Sequence, residues 1–313
     1  METFSAWARS AVGTHVPQAA PRPKAFLAGF PALEAFPLPL WQRLTARCLR
    51  GEARGLLHYF PSMGYGPLRK ATARYLALTR GVVCSPDQVM ILNSSLQGLD
   101  LIGRVLLERG DEAWVEEAGY PNVRVSLSMS GVPLSLKRRL ALLKWAEDAD
   151  AWVVEDDYQG EFTHEGRPLE TLYSLDRGAR VLHLGSFTNA LFPSLRLAYL
   201  VIPPAMCGVF EAVRSQLDDH THGIAQAVLA DFIDEGHLTA HLRRMKPIYK
   251  ERRDVLLEAL ERYLPECKAG PAVSGMNVAL HLPRGIGDRT LRKRGGDAGL
   301  ALMPLSRYGA RRR

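Results

Sequence analysis

Asp156 and Tyr158 are the residues whose type and spacing point most directly to chemistry. They stand two apart at the end of an apolar run, AWVVEDDY, and a strand there sends both side chains off one face just past its carboxyl end. Open α/β sheets bind ligands at that edge, so a carboxylate and a phenol there can grip one molecule together. Read without context, the same residues are a solvated acidic strand end. His237 and His241, four apart on a helical run, bring two imidazoles to one face. No carboxylate or cysteine completes a ligand set, so we expect a structural role and no metal. His164 and His183 lack a serine or cysteine partner for nucleophilic catalysis. Cys48, Cys84, Cys207 and Cys267 have no CxxC spacing and indicate neither zinc nor a disulfide framework.

The elements that must position these groups alternate along the chain. LWQRLTARCLR has helical apolar spacing, and GPLRKATARYLALTRG reads as a helix with Pro67 in its first turn and Gly81 closing it. QVMIL follows as a buried strand, then a helix opened by Ser94 or Ser95 and ended at Gly110, then AWVEE as a strand. After the helix SLKRRLALLKWAEDAD come three apolar strands, AWVVEDD, RVLHLG and LRLAYLVIP. Strands alternating with helices, apolar throughout, predict an α/β fold with a mostly parallel sheet covered on both faces. From about Ala225 to Leu264 the pattern is helical, and Pro247 is expected to break or kink it unless it lies in a first turn. The 313 residues, 47% hydrophobic and 23% charged, are those of a globular protein with no membrane-length apolar run and no leader pattern, which places it in the cytoplasm. The net charge of +7 suits an anionic ligand, but part of it is the Arg311–Arg313 tail, and nothing in the pattern points to nucleic-acid binding by this chain alone.

Several separated segments together resemble the aminotransferase-like domain of MocR-type (GntR superfamily) transcription regulators, which are fold-type-I relatives of class I/II aminotransferases that use pyridoxal 5'-phosphate. They are FPALEAFPLPLWQRL, GYGPLRKATARYL, EEAGYPN, VVEDDYQGEFTHEGRPLETLYSLD, GSFTNALFPSLRLAYLVIP and EGHLTAHLRRMKPIYKERRDVLLEAL. The resemblance implies that Asp156 pairs with the pyridine nitrogen, Tyr158 with the ring hydroxyl, and that Tyr120 stacks on the ring. It implies a phosphate cradle from Ser94 and Ser95 at a helix start with Ser186, Thr188 and Arg196. It also implies a homodimer, a large domain (36–235) and a small C-terminal domain (236–313), while the proline-rich residues 1–35 read by composition as an extended arm or linker remnant.

The departures from the family pattern decide the function. Asn189 occupies the position of the lysine that forms a Schiff base with the cofactor, and a carboxamide, its nitrogen lone pair delocalised, cannot form that imine. Ser94, Ser194 and Ala198 stand where glycines are usual. Near 128–136 the chain joins the Tyr120 turn to the next helix directly, so a few tens of residues present in the family are expected to be missing, and the small domain is expected to be truncated. We therefore expect a non-catalytic domain that binds pyridoxal phosphate or a small anionic, amino-acid-like effector without a covalent link. An active aminotransferase and a degenerate fragment without function are the alternatives.

Overall fold

The computed structural model describes residues 25–51, 55–114, 136–158, 160–164, 170–270, 272 and 274–307. Tyr120, most of the AWVEE run and all but the last residue of the stretch 128–136, where the chain was expected to be shortened, lie outside them. Among the described residues four strands form the central sheet: β1 (Val89–Leu92), β2 (Val153–Asp157), β3 (Val181–Ser186) and β4 (Ala198–Val201), in the order β1-β4-β3-β2. Strands β1, β2 and β3 run in one direction, as a mostly parallel sheet was expected to, and β4 alone among the described strands of the sheet is reversed, antiparallel to both β1 and β3. The reason is the short return between β3 and β4, which turns back through residues 187–197 with no crossover helix.

Each face of the sheet is apolar, and each is covered by helices. Met90, Leu92, Leu182, Leu184 and Leu200 pack with Leu99 and Ile102 of α3 (Ser95–Leu106) and with a further helix, Cys207–Leu217, through Phe210. On the other face Val89, Ile91, Tyr199 and Val201 meet α1 (Leu38–Arg50), α2 (Gly66–Arg80) and two later helices, Gly223–Asp234 and His237–Tyr263. Side chains such as Leu68, Leu76 and Leu99, all at 1% exposure or less, each contribute about 1.5–3 kcal/mol by burial.

The helix boundaries follow local chemistry. Pro67 sits in the first turn of α2, and Gly81 ends it in the left-handed conformation at φ 68°. Ser94 caps α3, which stops at Leu106, earlier than Gly110. The expected long helix after Ala225 is divided at Gly236, whose φ of 79° closes one helix and opens the next. Pro247 does not break the second helix, which continues from His237 to Tyr263. Pro247 is exposed, so water can satisfy the carbonyl it frees. Buried Leu242, Met245 and Tyr249 hold both sides of it against the core. A two-stranded sheet, β5 (Lys268–Ala269) and β6 (Leu280–His281), and the helix Asp288–Asp297 complete the described chain.

One ion pair ties helix to sheet edge. Arg80, the last residue of α2, holds Asp157 at the end of β2 through two bonds, Nε to Oδ2 at 2.6 Å and Nη2 to Oδ1 at 2.8 Å, and donates to Gly160 O at 3.2 Å. Both side chains are only 10% exposed. Arg80→Met leaves Asp157 buried and uncompensated, and should lower unfolding free energy by about 3–5 kcal/mol in urea titrations. The Arg80→Met/Asp157→Asn double variant should recover part of that loss, and a double variant as unstable as the single one would show that the pair does not carry the effect.

Candidate functional site

Strand register brings the candidate residues to one edge. Leu92 pairs with Ala198, Ala198 with Ser186, and Gly185 with Asp157. The carboxyl ends of β1, β2 and β3 and the beginning of β4 therefore share one side of the sheet, spanning about 14 Å at the usual strand spacing.

After β1, Ser94 is extended (φ −170°), and its hydroxyl accepts the Gln97 N–H at 3.2 Å while Gln97 Oε1 accepts the Asn93 N–H at 2.7 Å. The Ser94 hydroxyl is thus spent on capping. The Ser95 and Leu96 N–H groups precede the first intrahelical bond, from Gly98 N to Ser94 O, and make the positive end of the helix. Asn93 and Gln97 also donate to Asp218, which pairs with the fully buried Arg214; that guanidinium reaches back to Ile91 O at 3.1 Å and anchors the end of β1.

Beyond β3 the chain folds into a compact return held by Phe187 N to Leu197 O (3.0 Å) and Leu191 N to Phe187 O (3.0 Å). Ser186 Oγ accepts the Thr188 N–H at 3.2 Å, which commits that hydroxyl to the turn. Asn189 is 6% exposed, and its carboxamide has no hydrogen-bond partner among the described residues. Arg196 is exposed, in the left-handed conformation (φ 52°, ψ 47°), with no ion-pair partner among the described residues.

At the end of β2 adjacent carboxylates diverge. Asp156 lies on the face of its register partner Leu184; burial pushes its carboxyl up to about 7, Asp157 adds to the shift, and His183 opposes it. Asp157 points to the other face and Arg80. Glu155 shares that face: burial alone would raise its carboxyl, but His183 Nδ1 at 3.0 Å and the Leu172 and Tyr173 N–H groups at 2.7 and 3.2 Å hold it below the usual range. Tyr158 departs from the expectation that it shares a strand face with Asp156. Strand β2 ends at Asp157, the Tyr158 N–H turns back to Asp156 O at 3.0 Å, and the half-exposed phenol closes on Gly29.

The remaining candidates resolve into structural roles. His241 Nε2 bonds Ala190 O at 3.1 Å, which fastens the long helix to the Asn189 turn, and His237 meets Glu235. His164 bonds Gly275 O. No group of three or more metal-ligating side chains occurs among the described residues, and no helix there is long and apolar enough to cross a membrane. A depression of about 420 Å3 between the helix Leu136–Asp148 and the turn 174–180 is bordered by none of the candidate residues, so we place the site at the sheet edge. Sequence reasoning missed Arg80, the Glu155–His183 pair and Arg214. The EDD run was the only signal, and partners 77 and 28 residues away left none.

The chain matches the model of the family "Aminotransferase class I and II" in two stretches, 30–140 and 127–285, which overlap at 127–140. It is 35% identical over 321 residues to the probable rhizopine catabolism regulatory protein MocR of Rhizobium meliloti, covering 90% of this chain and 65% of that protein. The chain thus spans under two thirds of that relative, and an alignment longer than this chain at 90% coverage means that the relative carries residues inside the matched span that this chain lacks. Among solved structures, Pyrococcus horikoshii kynurenine aminotransferase in complex with PMP superimposes with a TM-score of 0.86 at 27% identity, covering 99% of this chain and 89% of that one. Thermus thermophilus LysN, an alpha-aminoadipate aminotransferase complexed with N-(5'-phosphopyridoxyl)-L-leucine, gives 0.82 at 26%, covering 98% and 86%.

Pyridoxal phosphate is the cofactor of that family, and most of the edge fits it. An unpaired arginine and free helix-start N–H groups suit a phosphate, and a carboxyl in apolar surroundings suits a pyridinium, whose charge would restore its ionised form. Asn189 does not fit a covalent link.

The Asp156 shift makes stability depend on pH. The carboxyl ionises near pH 7 in the folded chain and near 3.8 when unperturbed, so its contribution is full below about pH 4 and is lost as pH rises to 7. Asp156→Asn should therefore match the wild type at pH 4 and exceed its unfolding free energy by roughly 2–4 kcal/mol at pH 8. Equal stability of the two proteins at pH 8 would place Asp156 in a solvated setting.

Proposed function

Because the chain belongs to the class I and II aminotransferase family, we propose that it is a non-catalytic member: a cytoplasmic, homodimeric ligand-binding domain of the MocR regulator type that takes pyridoxal phosphate or a related effector without bonding to it. Asn189 carries this reading. It is buried at the turn after β3, where the resemblance puts the reactive amine, and its amide can neither form the imine nor shuttle a proton. The same edge retains the groups that hold the ligand at its two ends, Arg196 with the Ser95 and Leu96 N–H groups for the phosphate and Asp156 for the ring nitrogen. When bound, the cofactor would supply an electron-withdrawing ring; this chain would orient and hold it.

The three lost glycines do not weaken the reading. Ser94, Ser194 and Ala198 all have negative φ, so none of these positions requires the freedom of glycine, and Ala198 is fully buried in the sheet.

Borohydride reduction in the presence of pyridoxal phosphate, followed by peptide mass analysis, should find no stoichiometric pyridoxyl-lysine, and amino-acid turnover should be absent. A single modified lysine together with transamination would refute the proposal. Arg196→Ala should weaken binding of pyridoxal phosphate about 10- to 100-fold in calorimetric titration, the loss of a charge-assisted contact worth about 1.5–3 kcal/mol. Unchanged affinity would move the phosphate elsewhere.

A further inference from the structure

We propose that the site selects the amine form of its ligand, pyridoxamine 5'-phosphate, over the aldehyde form, with Asn189 as the selecting residue. The inference rests on the proposed function and concerns the group at the reacting carbon of the ligand.

In a lysine-bearing site the aldehyde is captured covalently, and that bond outweighs any difference in hydrogen bonding. Here the bond is unavailable, so hydrogen bonding decides. Asn189 offers one acceptor, Oδ1, and one donor group, Nδ2. The residue is only 6% exposed and its carboxamide has no partner among the described residues, so it meets the ligand already desolvated on most sides. An aldehyde oxygen can only accept from Nδ2, as a neutral contact. A primary ammonium donates to Oδ1 in a charge-assisted bond, roughly twice as strong. Replacing lysine by asparagine also removes the cation that would repel an ammonium at this point.

The surrounding fold holds the backbone on both sides of Asn189. Leu191 N bonds Phe187 O across the turn, and the carbonyl of the next residue, Ala190, is held by His241 from the long helix. Phe187, Ala190 and Leu191 are all at 3% exposure or less. The backbone that carries Asn189 is therefore held in place, and its amide is presented from a fixed point of the edge.

The test is calorimetric titration of the full chain with pyridoxamine 5'-phosphate and with pyridoxal 5'-phosphate, in amine-free buffer. The wild type should bind the amine about tenfold more tightly, a ratio that corresponds to about 1.4 kcal/mol. Asn189→Leu, its folding checked by thermal melting, should lose the preference while still binding both compounds, and Asn189→Lys should favour the aldehyde. Equal or tighter binding of the aldehyde by the wild type overturns the selectivity and leaves the proposed function standing. Binding of neither compound overturns the proposed function and this inference with it. A preference that survives in Asn189→Leu assigns the selectivity to another residue and also overturns the inference.

Discussion

The Arg80–Asp157 pair is the constraint on which the edge of the sheet depends. Strand β2 ends in consecutive carboxylates, and alternation sends them to opposite faces. Two adjacent anions in a poorly solvated place are tolerable only if one is neutralised by a cation and the other by a proton or a ligand. Arg80 satisfies Asp157 from the end of α2, and that helix is packed into the core through Leu68 and Leu76. Asp156 is left as the group whose charge waits for a partner. Burial, with Asp157 beside it, sets the state of Asp156 on one face of the sheet, while the end of α2 engages its neighbour on the other.

The rest of the edge shows the same division between fixed frame and available group. Ser94 and Gln97 satisfy each other's neighbourhood at the start of α3, and Arg214 ties Asp218 to the end of β1. These contacts consume the side chains nearest the helix start and leave backbone N–H groups exposed to an incoming anion. Ser186 is consumed in its turn in the same way. What remains uncommitted among the described residues is a short set at the two ends of the edge and one amide between them.

Much of this was legible in the sequence because it is local. Apolar runs marked β1 and β3, Pro67 and Gly81 bracketed a helix, and a serine before an apolar run marked a capped start. The direction of β4 was not legible. LRLAYLVIP is as apolar as a parallel strand because helices cover both faces of the sheet, and only the length of its connection makes β4 antiparallel. That Pro247 does not break its helix was hidden for a related reason: the sequence shows the missing N–H, whereas the exposure that lets water replace it belongs to tertiary structure. Tyr158 was placed by assuming that strand β2 continued one residue further than it does. Arg80, remote in sequence from Asp157, is a pairing that only the fold creates.

Arg196 closes the return from β3 to β4 in a left-handed conformation that costs a side-chain-bearing residue roughly 1–2 kcal/mol relative to its preferred regions. Glycine would occupy the same backbone at almost no steric cost. The position is therefore one where thermodynamic comfort and charge are opposed: a chain optimised for folding alone would discard the guanidinium, and a chain that holds a dianion at this edge must carry the strain. Stabilising this protein by substituting residues held in strained conformations would, at this position, strip the edge of its cation.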